Sequence, residues 1–279
     1  MSTPPVVWTI AGFDPSSGAG ITADLKTISS LQCYGVACIT ALTVQNTLGV
    51  QRVRAVSTQT VRQTLQALLE DLLPNAIKIG MLATASTARA VADFLELLPQ
   101  PRCPVVLDPI LCSSSGAELL SAAGIRVLLQ RLIPLVTVVT PNRGEAAILT
   151  GLPASDAEAM AQALRQLGAA AAVVTGGDHA EADAADGQLP LEALATDVLA
   201  YSIAGREFVE SLSAPRIHSS STHGTGCAFS TAIACSLALG ANLPTAVTSA
   251  KAFVGRAILR APGLGHGKGP MALDCVRDG

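Results

Sequence analysis

The sequence predicts an α/β protein built on one central, mostly parallel sheet with helices on both faces. Short β-branched runs alternate with glycine-rich or polar turns and amphipathic helical stretches, a rhythm typical of parallel βαβ units. Aromatic residues make up 3% of the 279 residues, whereas apolar residues make up 49%. Valine, isoleucine, leucine and alanine must therefore fill the core, as they do in sheets that are buried on both faces.

The first part of the chain supplies strands separated by helices. Val6–Ala11 predicts the first strand, and Ile21–Cys33 predicts a helix after a glycine-rich loop. Val36–Val44 predicts the second strand, and Arg52–Val56 predicts a weaker strand that leads into a helix over Thr58–Leu72. This order of elements is the start of the predicted sheet.

Apolar runs continue along the rest of the chain, with helical segments between them. They are Ile77–Met81, Val105–Asp108, Val136–Thr140 and Ala171–Thr175. Ligands of such sheets bind beyond the carboxyl ends of the strands, where the loops gather. The acidic, alanine-rich segment Asp178–Leu199 predicts an irregular connection or a flap. No segment has the composition of a long linker, so residues 1–279 are predicted to form a single domain.

Composition excludes several classes of function. The formal net charge of -3 argues against a nucleic-acid-binding protein, which would carry a basic excess. No apolar run reaches the length of a membrane span, and Met1–Pro5 lacks the features of a secretion signal. Seven cysteines without a CxxC spacing indicate neither a zinc site nor a disulfide framework. We therefore expect a soluble cytoplasmic protein without nucleic-acid or membrane partners.

The segment His223–Cys227 has the composition of an anion-binding helix start. Gly224 and Gly226 flank Thr225 where a helix begins, so backbone N–H groups can point outward. These amides and the positive end of the helix dipole attract phosphate. The same field should favour the thiolate of Cys227 in the first turn. A tight turn with a packed cysteine is the plainer alternative, because lone glycine motifs are weak signals.

Two other strands end in polar residues. Asn142 and Glu145 have the spacing of a capping box, and they could also organise a hydrated magnesium ion near phosphates. Both interpretations can hold at once. Asp108 ends an apolar run in a carboxylate, which is costly unless cations or donors meet it. A turn-forming aspartate is the simpler alternative.

Glycine-rich turns follow the first strand and the Ala171–Thr175 run. Thr175 and Gly177 predict either an ordinary turn or close backbone approach to a nucleotide. Gly12–Gly20 carries neither GxGxxG nor GxxxxGK[ST], which argues against a Rossmann dehydrogenase and a P-loop ATPase. This loop is suited to closing round a small substrate, with Asp24 on the helix that follows. The amide of Gln45 could pair with the edge of an aminopyrimidine, although a surface turn is the plainer interpretation.

A series of short motifs runs from Thr9 to about Pro270. The motifs are Ile10–Gly12, Asp14–Ser16, Gly18–Ile21, Ala23–Lys26, Thr40–Thr43, Gln45–Thr47, Lys78–Leu82, Leu107–Pro109, Thr140–Asn142, Val174–Gly177, His223–Cys227, Ala250–Lys251 and Gly265–Gly267. In this order and spacing they resemble the hydroxymethylpyrimidine kinase/phosphomethylpyrimidine kinase family of thiamine biosynthesis, within the ribokinase-like superfamily.

The resemblance implies a ribokinase-like fold and ATP- and magnesium-dependent phosphorylation of 4-amino-5-hydroxymethyl-2-methylpyrimidine, then of its monophosphate. It implies that Gln45 hydrogen-bonds the ring and that Asp24 and the Gly12 backbone hold the substrate. Met81 would pack against the ring, and Ile110 would form a further apolar wall. A homodimer is also expected from the family.

The resemblance also implies roles on the phosphate side. These are Cys227 as base, Gly224, Thr225 and Gly226 as anion hole, Asp108, Asn142 and Glu145 around magnesium, Lys251 at phosphate, and Thr175 and Gly177 at the nucleotide. Phosphoryl transfer needs alignment and charge neutralisation more than a strong base, so a cysteine can serve.

Two other functions stay open. A pyridoxal-type kinase acts on a planar ring that also bears a hydroxymethyl group, and a non-catalytic relative could bind ligand as a regulator. Cys227 and Gln45 favour the pyrimidine over pyridoxal. A regulator would need neither base nor metal, so the joint presence of Asn142, Glu145, Cys227 and Lys251 favours an enzyme.

Overall fold

The computed structural model describes residues 3–113, 116–177 and 194–274. Its strands are β1 (Val6–Phe13), β2 (Tyr34–Asn46), β3 (Gly49–Ala55), β4 (Ala76–Ile79), β5 (Val105–Leu107), β6 (Val138–Val139), β7 (Ala171–Val174), β8 (Leu194–Ile203) and β9 (Arg206–Pro215). Its helices are α1 (Gly20–Ser30), α2 (Thr58–Asp71), α3 (Ala85–Leu97), α4 (Ala122–Val127), α5 (Arg143–Thr150), α6 (Ala157–Gln166), α7 (Thr225–Ala238) and α8 (Leu243–Leu259). A π-helical turn and a 3-10 turn, Leu128–Leu132 and Ile133–Leu135, continue α4.

The strands form one sheet, so the predicted α/β fold is confirmed. Within the described ranges it has nine strands in the order β3-β2-β1-β4-β5-β6-β7-β8-β9. Strands β2, β1, β4, β5, β6 and β7 are parallel to one another. Strands β3, β8 and β9 pair antiparallel at the two edges. Strand β2 lies on one side of β1 and strand β4 on the other, so the strand order reverses at β1. Such a reversal opens a crevice at the carboxyl end of β1.

Side chains alternate between two cores, one on each face of the sheet. Trp8 and Ile10 of β1 face a core that α2 to α6 cover, and Trp8 stacks on Phe94 with ring centroids 5.7 Å apart. Val7 faces the other core, against α1, α7 and α8. On β4, Ile77 lies on the Trp8 side, so its neighbour Lys78 points to the α1 and α7 side. The sheet therefore carries a lysine inside its second core.

Most helix starts are capped by a side chain, whereas those of α1 and α7 are not. Asn142 and Glu145 form a capping box at α5: the Glu145 N–H donates to Asn142 Oδ1 at 2.8 Å, and the Asn142 N–H donates to Glu145 Oε2 at 3.0 Å. Ser57 and Thr84 cap α2 and α3 through their hydroxyl oxygens. Helix α7 begins after Gly224 without any side-chain cap. Its first amides are consequently left for another acceptor.

The prediction that Asp178–Leu199 forms an irregular segment or flap is wrong for residues 194–199. Residues 178–193 lie outside the described ranges, and Leu194 begins the ten-residue strand β8. Pairing with β7 and β9 forms this strand, and that pairing is not visible in its polar start. Asp197 is tolerated there because it is paired with Lys251.

No helix in the described ranges combines the length and the apolar character that a bilayer crossing requires.

Candidate functional site

The loop after β1 packs backbone to backbone against the start of α7. Gly224 has a φ of 79°, and a Cβ on it would lie 1.9 Å from the Gly18 carbonyl oxygen. A Cβ on Gly18 would lie 2.2 Å from Cδ2 of His223. Both positions therefore require glycine, since any side chain would separate the loop from the helix. The contact brings the two glycine-rich motifs of the sequence together in the crevice.

The start of α7 offers unfilled donors. The N–H groups of Gly226 and Cys227 have no hydrogen-bond acceptor within the part of the chain that the structure describes. The Thr225 N–H donates to the Thr222 carbonyl at 3.4 Å, so it is less available than predicted. Orphan amides at the positive end of a fourteen-residue helix are suited to hold an anion. The anion hole stays a prediction: of the three residues Gly224, Thr225 and Gly226, only Thr225 has its N–H partnered within the described ranges, and the free Cys227 N–H adds a further donor.

Cys227 lies beside these amides with its thiol almost buried. The Gly20 backbone N–H and the Asp108 carboxyl lie near its Sγ, and both act on the pKa of the thiol. Burial raises the pKa of this thiol to about 12, against the opposing effect of the Lys78 ammonium. The expectation of a thiolate is therefore contradicted, because burial, with the Asp108 and Asp24 carboxylates, raises the pKa more than Lys78 and the Gly20 N–H lower it. Cys227 is a thiol at neutral pH.

Asp108 faces the same helix start from the end of β5. Its Oδ2 would lie 3.8 Å from a Cβ on Gly226, and it accepts a 3.3 Å hydrogen bond from the Ser230 hydroxyl. Burial raises the pKa of this carboxyl to about 6, although the Lys78 ammonium lowers it. Above that pH the carboxylate is ionised, so it can accept a proton or a hydrogen bond from the nearby Cys227 thiol.

Asp24 is not placed to touch a substrate, and this prediction is corrected. The residue is completely buried, and its carboxylate accepts hydrogen bonds from the hydroxyls of Thr9 and Thr231 at 2.5 and 2.8 Å. The Lys78 ammonium donates to both carboxylate oxygens at 3.0 and 2.9 Å. A buried carboxylate needs such partners, and together they leave it sealed beneath the crevice.

Gln45 contacts His223, which in turn contacts Asp14, and sequence reasoning assigned a role at the site to neither of these two residues. The Nε2 atom of His223 lies 2.8 Å from Asp14 Oδ2 and 3.0 Å from the Gln45 amide. Burial alone would raise the pKa of Asp14, but hydrogen bonds from His223 and Ser16 hold it below its usual value.

These contacts decide which way the Gln45 amide is turned. Asp14 is ionised, so Nε2 of His223 must carry the proton that it shares with that carboxylate. The structure turns the Gln45 Nε2 toward His223 at 3.0 Å and the Gln45 Oε1 toward the Thr43 hydroxyl at 3.1 Å. A protonated His223 Nε2 is matched instead by the opposite amide orientation, with Oε1 facing His223 and Nε2 facing Thr43. The Thr43 hydroxyl is left to donate to the Phe13 carbonyl at 3.0 Å. In the opposite orientation the one N–H on His223 Nε2 is shared between Asp14 Oδ2 and the Gln45 amide oxygen, and the Gln45 amide nitrogen donates to the Thr43 hydroxyl.

An apolar wall lies on the other side of the crevice. Met81 packs in a small cluster with Ala41 and Leu119, and Ile110 joins it at its edge. A Cβ on Gly12 would lie 3.0 Å from the Met81 sulfur, so glycine allows this close packing. The structure therefore brings together the three residues Gly12, Met81 and Ile110 that the resemblance implies at the ring.

The loops after β5, β6 and β7 meet at a neighbouring position. Asn142 and Thr175 form a parallel backbone bridge, and the Thr175 N–H donates to the Pro141 carbonyl at 2.9 Å. The Glu145 Oε1 accepts a hydrogen bond from the Leu111 N–H at 3.3 Å, while its Oε2 completes the capping box. Glu145 thus joins the loop after β5 to the start of α5. The predicted residues of the nucleotide and magnesium side converge here.

A metal site must be built there from few protein groups. No cluster of three or more histidine, cysteine, aspartate or glutamate side chains exists within the described ranges. Magnesium keeps several waters and takes one or two carboxylates together with substrate phosphates, so the residues present fit this ion. Asp108 and Glu145 have separate hydrogen-bond partners, and their pairing as metal ligands stays a prediction.

Lys251 reaches the turn after β7. Its Nζ donates to Asp197 Oδ2 at 2.7 Å, and Asp197 Oδ1 accepts the Gly176 N–H at 3.0 Å. Arg216 donates to the Gly177 carbonyl at 2.5 Å. Sequence reasoning missed Asp197 and Arg216, whose partners are far away in the chain. The Lys251 ammonium is therefore paired with the Asp197 carboxylate in the free protein.

Comparisons with known proteins show the family of this chain. Residues 14–272 match the family described as phosphomethylpyrimidine kinase. A hydroxymethylpyrimidine/phosphomethylpyrimidine kinase of Staphylococcus aureus is 37% identical over 275 residues, which cover 97% of this chain and 94% of that protein.

Solved structures show the same ribokinase-like fold. The crystal structure of phosphomethylpyrimidine kinase from Clostridium difficile has a TM-score of 0.73 at 33% identity and covers 91% of this chain and 99% of that chain. The pyridoxal kinase from Staphylococcus aureus in complex with AMP-PCP has a TM-score of 0.84 at 29% identity and covers 99% and 95%. With a family match over nearly its whole length and this arrangement of loops, the chain belongs to the phosphomethylpyrimidine kinase family.

Proposed function

We propose that this protein transfers the γ-phosphoryl group of ATP to the hydroxyl of 4-amino-5-hydroxymethyl-2-methylpyrimidine, and then phosphorylates the monophosphate, in thiamine biosynthesis. One observation carries the proposal: the free amides of Gly226 and Cys227 lie beside a thiol–carboxylate pair in the crevice between β1 and its neighbours. Family membership supports the kinase activity, and a related structure in complex with AMP-PCP supports the use of ATP.

The ring is held between a polar and an apolar side. Gln45 offers an amide edge whose orientation His223 determines, which suits the adjacent donor and acceptor of an aminopyrimidine. Met81 and Ile110 pack against the face of the ring, and Gly12 lets the ring approach the backbone. The ring is thereby placed with its hydroxymethyl group toward the start of α7.

The hydroxyl proton leaves by a short relay. As the oxygen attacks phosphorus, its proton passes to the Cys227 sulfur while the thiol proton passes to Asp108. The carboxylate is ionised above about pH 6 because burial sets the pKa of Asp108 there. The transfer comes late in a loose transition state, so a weak acceptor suffices. Cys227 thus acts as the base through Asp108 rather than as a resting thiolate.

The phosphates are held by backbone amides and by magnesium. The amides of Gly226 and Cys227 bind the transferring group, and Thr175 and Gly177 contact the nucleotide. Glu145 and Asn142 would hold a hydrated magnesium ion, and Asp108 would be a further ligand in the absence of the alcohol. Bound magnesium would neutralise charge on the β- and γ-phosphates. Lys251 acts at the edge of this site through Asp197.

A pyridoxal-type kinase is the second candidate. The pyridoxal kinase fold superposes with a TM-score of 0.84, above the 0.73 of the phosphomethylpyrimidine kinase, although its identity is lower. Both rings are planar and carry a hydroxymethyl group. The amide edge of Gln45 favours the aminopyrimidine, so we place pyridoxal second. A non-catalytic regulator has no use for the free amides beside Cys227.

The experiment is a comparison of substrates with ATP and magnesium. The purified chain is incubated with the hydroxymethylpyrimidine, its monophosphate or pyridoxal, and phosphate transfer is measured. We expect the highest kcat/KM with the hydroxymethylpyrimidine. A higher kcat/KM with pyridoxal would overturn the assignment of substrate. Ring binding in calorimetry without turnover of any compound would establish the regulator.

We also propose that the protein is a cytoplasmic homodimer. The edge hairpin β2–β3 exposes apolar side chains, among them Leu42, Val44 and Leu48 at 49%, 51% and 68% exposure. A second copy of the chain would remove this surface from water. Sedimentation velocity tests it, and a monomer at micromolar concentration would contradict it.

A further inference from the structure

Lys78 is a charged residue in the second core that the proposed function does not use. Its side chain is completely buried on β4, and its ammonium donates only to Asp24 within the part of the chain that the structure describes. A Cβ on Gly80 would lie 2.9 Å from the Lys78 Nζ, so the glycine leaves room for the ammonium. A buried lysine is costly and rarely present without a role.

The ion pair ties four elements together beneath the start of α7. Lys78 belongs to β4, and Asp24 to α1; Thr9 of β1 and Thr231 of α7 donate to the same carboxylate. Thr231 lies one helical turn after Cys227, so the pair sits one turn below the amides that hold the phosphoryl group.

The two charges of the ion pair act unequally on Cys227 and Asp108. Burial has the largest effect on the pKa of Cys227; next to burial, the Lys78 ammonium lowers it more strongly than the Asp24 carboxylate raises it. The same order holds at Asp108, where burial again raises the pKa most. The geometry agrees, because the Asp108 N–H donates to the carbonyl of Ile79, the residue after Lys78 on β4. On α7 the Ser230 hydroxyl donates to Asp108, and the hydroxyl of the next residue, Thr231, donates to Asp24. The ion pair therefore lies directly beside the reacting groups. The Asp24 carboxylate accepts hydrogen bonds from two threonine hydroxyls as well as from the lysine.

We propose that Lys78 is a positioning residue for phosphoryl transfer, whose buried ammonium holds a fixed positive charge under the thiol–carboxylate pair and the amides at the start of α7. The charge stabilises the extra negative charge that develops there when the alcohol gives up its proton. Because the ammonium is already oriented by Asp24, no reorganisation is needed during the reaction. In a dry site this attraction is far stronger than it would be in water. The inference rests on the proposed function.

The test replaces the ion pair with neutral pairs that keep its volume. Lys78→Met/Asp24→Leu removes both charges, and Lys78→Gln/Asp24→Asn also keeps hydrogen-bonding groups. Replacing a whole buried ion pair is often neutral for stability, whereas removing one partner is strongly destabilising. We expect a neutral pair to keep the melting temperature and the KM for the pyrimidine near those of the wild type, with kcat lower by about 100-fold.

Gly80→Ala gives an independent measurement, because the added methyl group displaces the ammonium without removing its charge. We expect it to lower kcat while the KM for ATP stays unchanged. The matched control is Arg62→Gln/Asp93→Asn, which neutralises an ion pair on the surface groove between α2 and α3, and its kcat should equal that of the wild type.

The outcomes separate the two proposals. If the wild type does not phosphorylate the pyrimidine, the proposed function fails. If the wild type is active and a folded neutral pair keeps its kcat, Lys78 has only a structural role and the inference is overturned. Failure of both neutral pairs to fold, seen by circular dichroism, would also overturn it, because the ion pair would then be indispensable to the fold itself.

Discussion

Replacement of Asp108 by asparagine should make the protein more stable and less active. Burial raises the pKa of Asp108 from 3.8 to about 6, so the folded state holds the ionised carboxylate at a cost. The shift is about two pKa units, each worth roughly 1.4 kcal/mol, which gives an upper limit of about 3 kcal/mol at pH 7. Asparagine carries no charge and keeps an oxygen for the Ser230 hydroxyl, so it avoids this cost.

The sign of the pH dependence follows from the raised pKa. Below the unfolded pKa near 4 the carboxyl is protonated in both states, and the cost vanishes. As the pH rises from about 4 to 6, only the unfolded state releases its proton, so the wild type loses stability relative to the variant. Above pH 6 the difference is constant. The advantage of Asp108→Asn should therefore be largest at pH 7 and roughly half as large at pH 5.

The assay is urea unfolding of both proteins at pH 5 and 7, together with steady-state kinetics. We expect kcat of Asp108→Asn to fall by about 100-fold, because the Cys227 thiol loses its proton acceptor. The kcat of the wild type should also fall below about pH 6. A variant that is less stable than the wild type at pH 7, or equally active, would refute the reasoning about the buried carboxylate.

Three further substitutions test other parts of the site. Cys227→Ala should lower kcat by about 100-fold with little change in the KM for the pyrimidine, and an unchanged kcat would show that the thiol carries no proton. Gln45→Ala should weaken pyrimidine binding by about 10-fold in calorimetry without affecting ATP, whereas the exposed Gln51→Ala on β3 should change neither; equal loss of both ligands would contradict a ring contact. Gly224→Ala should lower the melting temperature far more than Gly205→Ala. Both glycines have positive φ, worth about 1–2 kcal/mol, but only a Cβ on Gly224 meets a backbone oxygen, at 1.9 Å; similar losses would contradict this close approach.

Local sequence patterns were enough for the sheet and for the helix starts. The β-branched runs predicted β1 and β7 to within two residues at each end, because alternation and burial act within a single strand. The capping box of Asn142 and Glu145 formed as its spacing predicted, because its partners are three residues apart. The start of β8 was not predicted, because this strand forms by pairing with β7.

The same contrast runs through the site. The sequence by itself determined which loops follow strands. It therefore predicted that Gly12, Asp108, Asn142 and Gly224 would lie near the carboxyl ends of the strands. These conclusions need only the order and direction of neighbouring elements.

The tertiary structure alone decided the electrostatics. It buried Asp24 in an ion pair with Lys78, 54 positions away, so that Asp24 does not reach a substrate as predicted. It joined Gln45 to His223 across 178 positions. It also raised the pKa of Cys227, contrary to the expectation from its helix start alone. Burial and charge pairing depend on every element that packs around a group, so no local pattern can specify them.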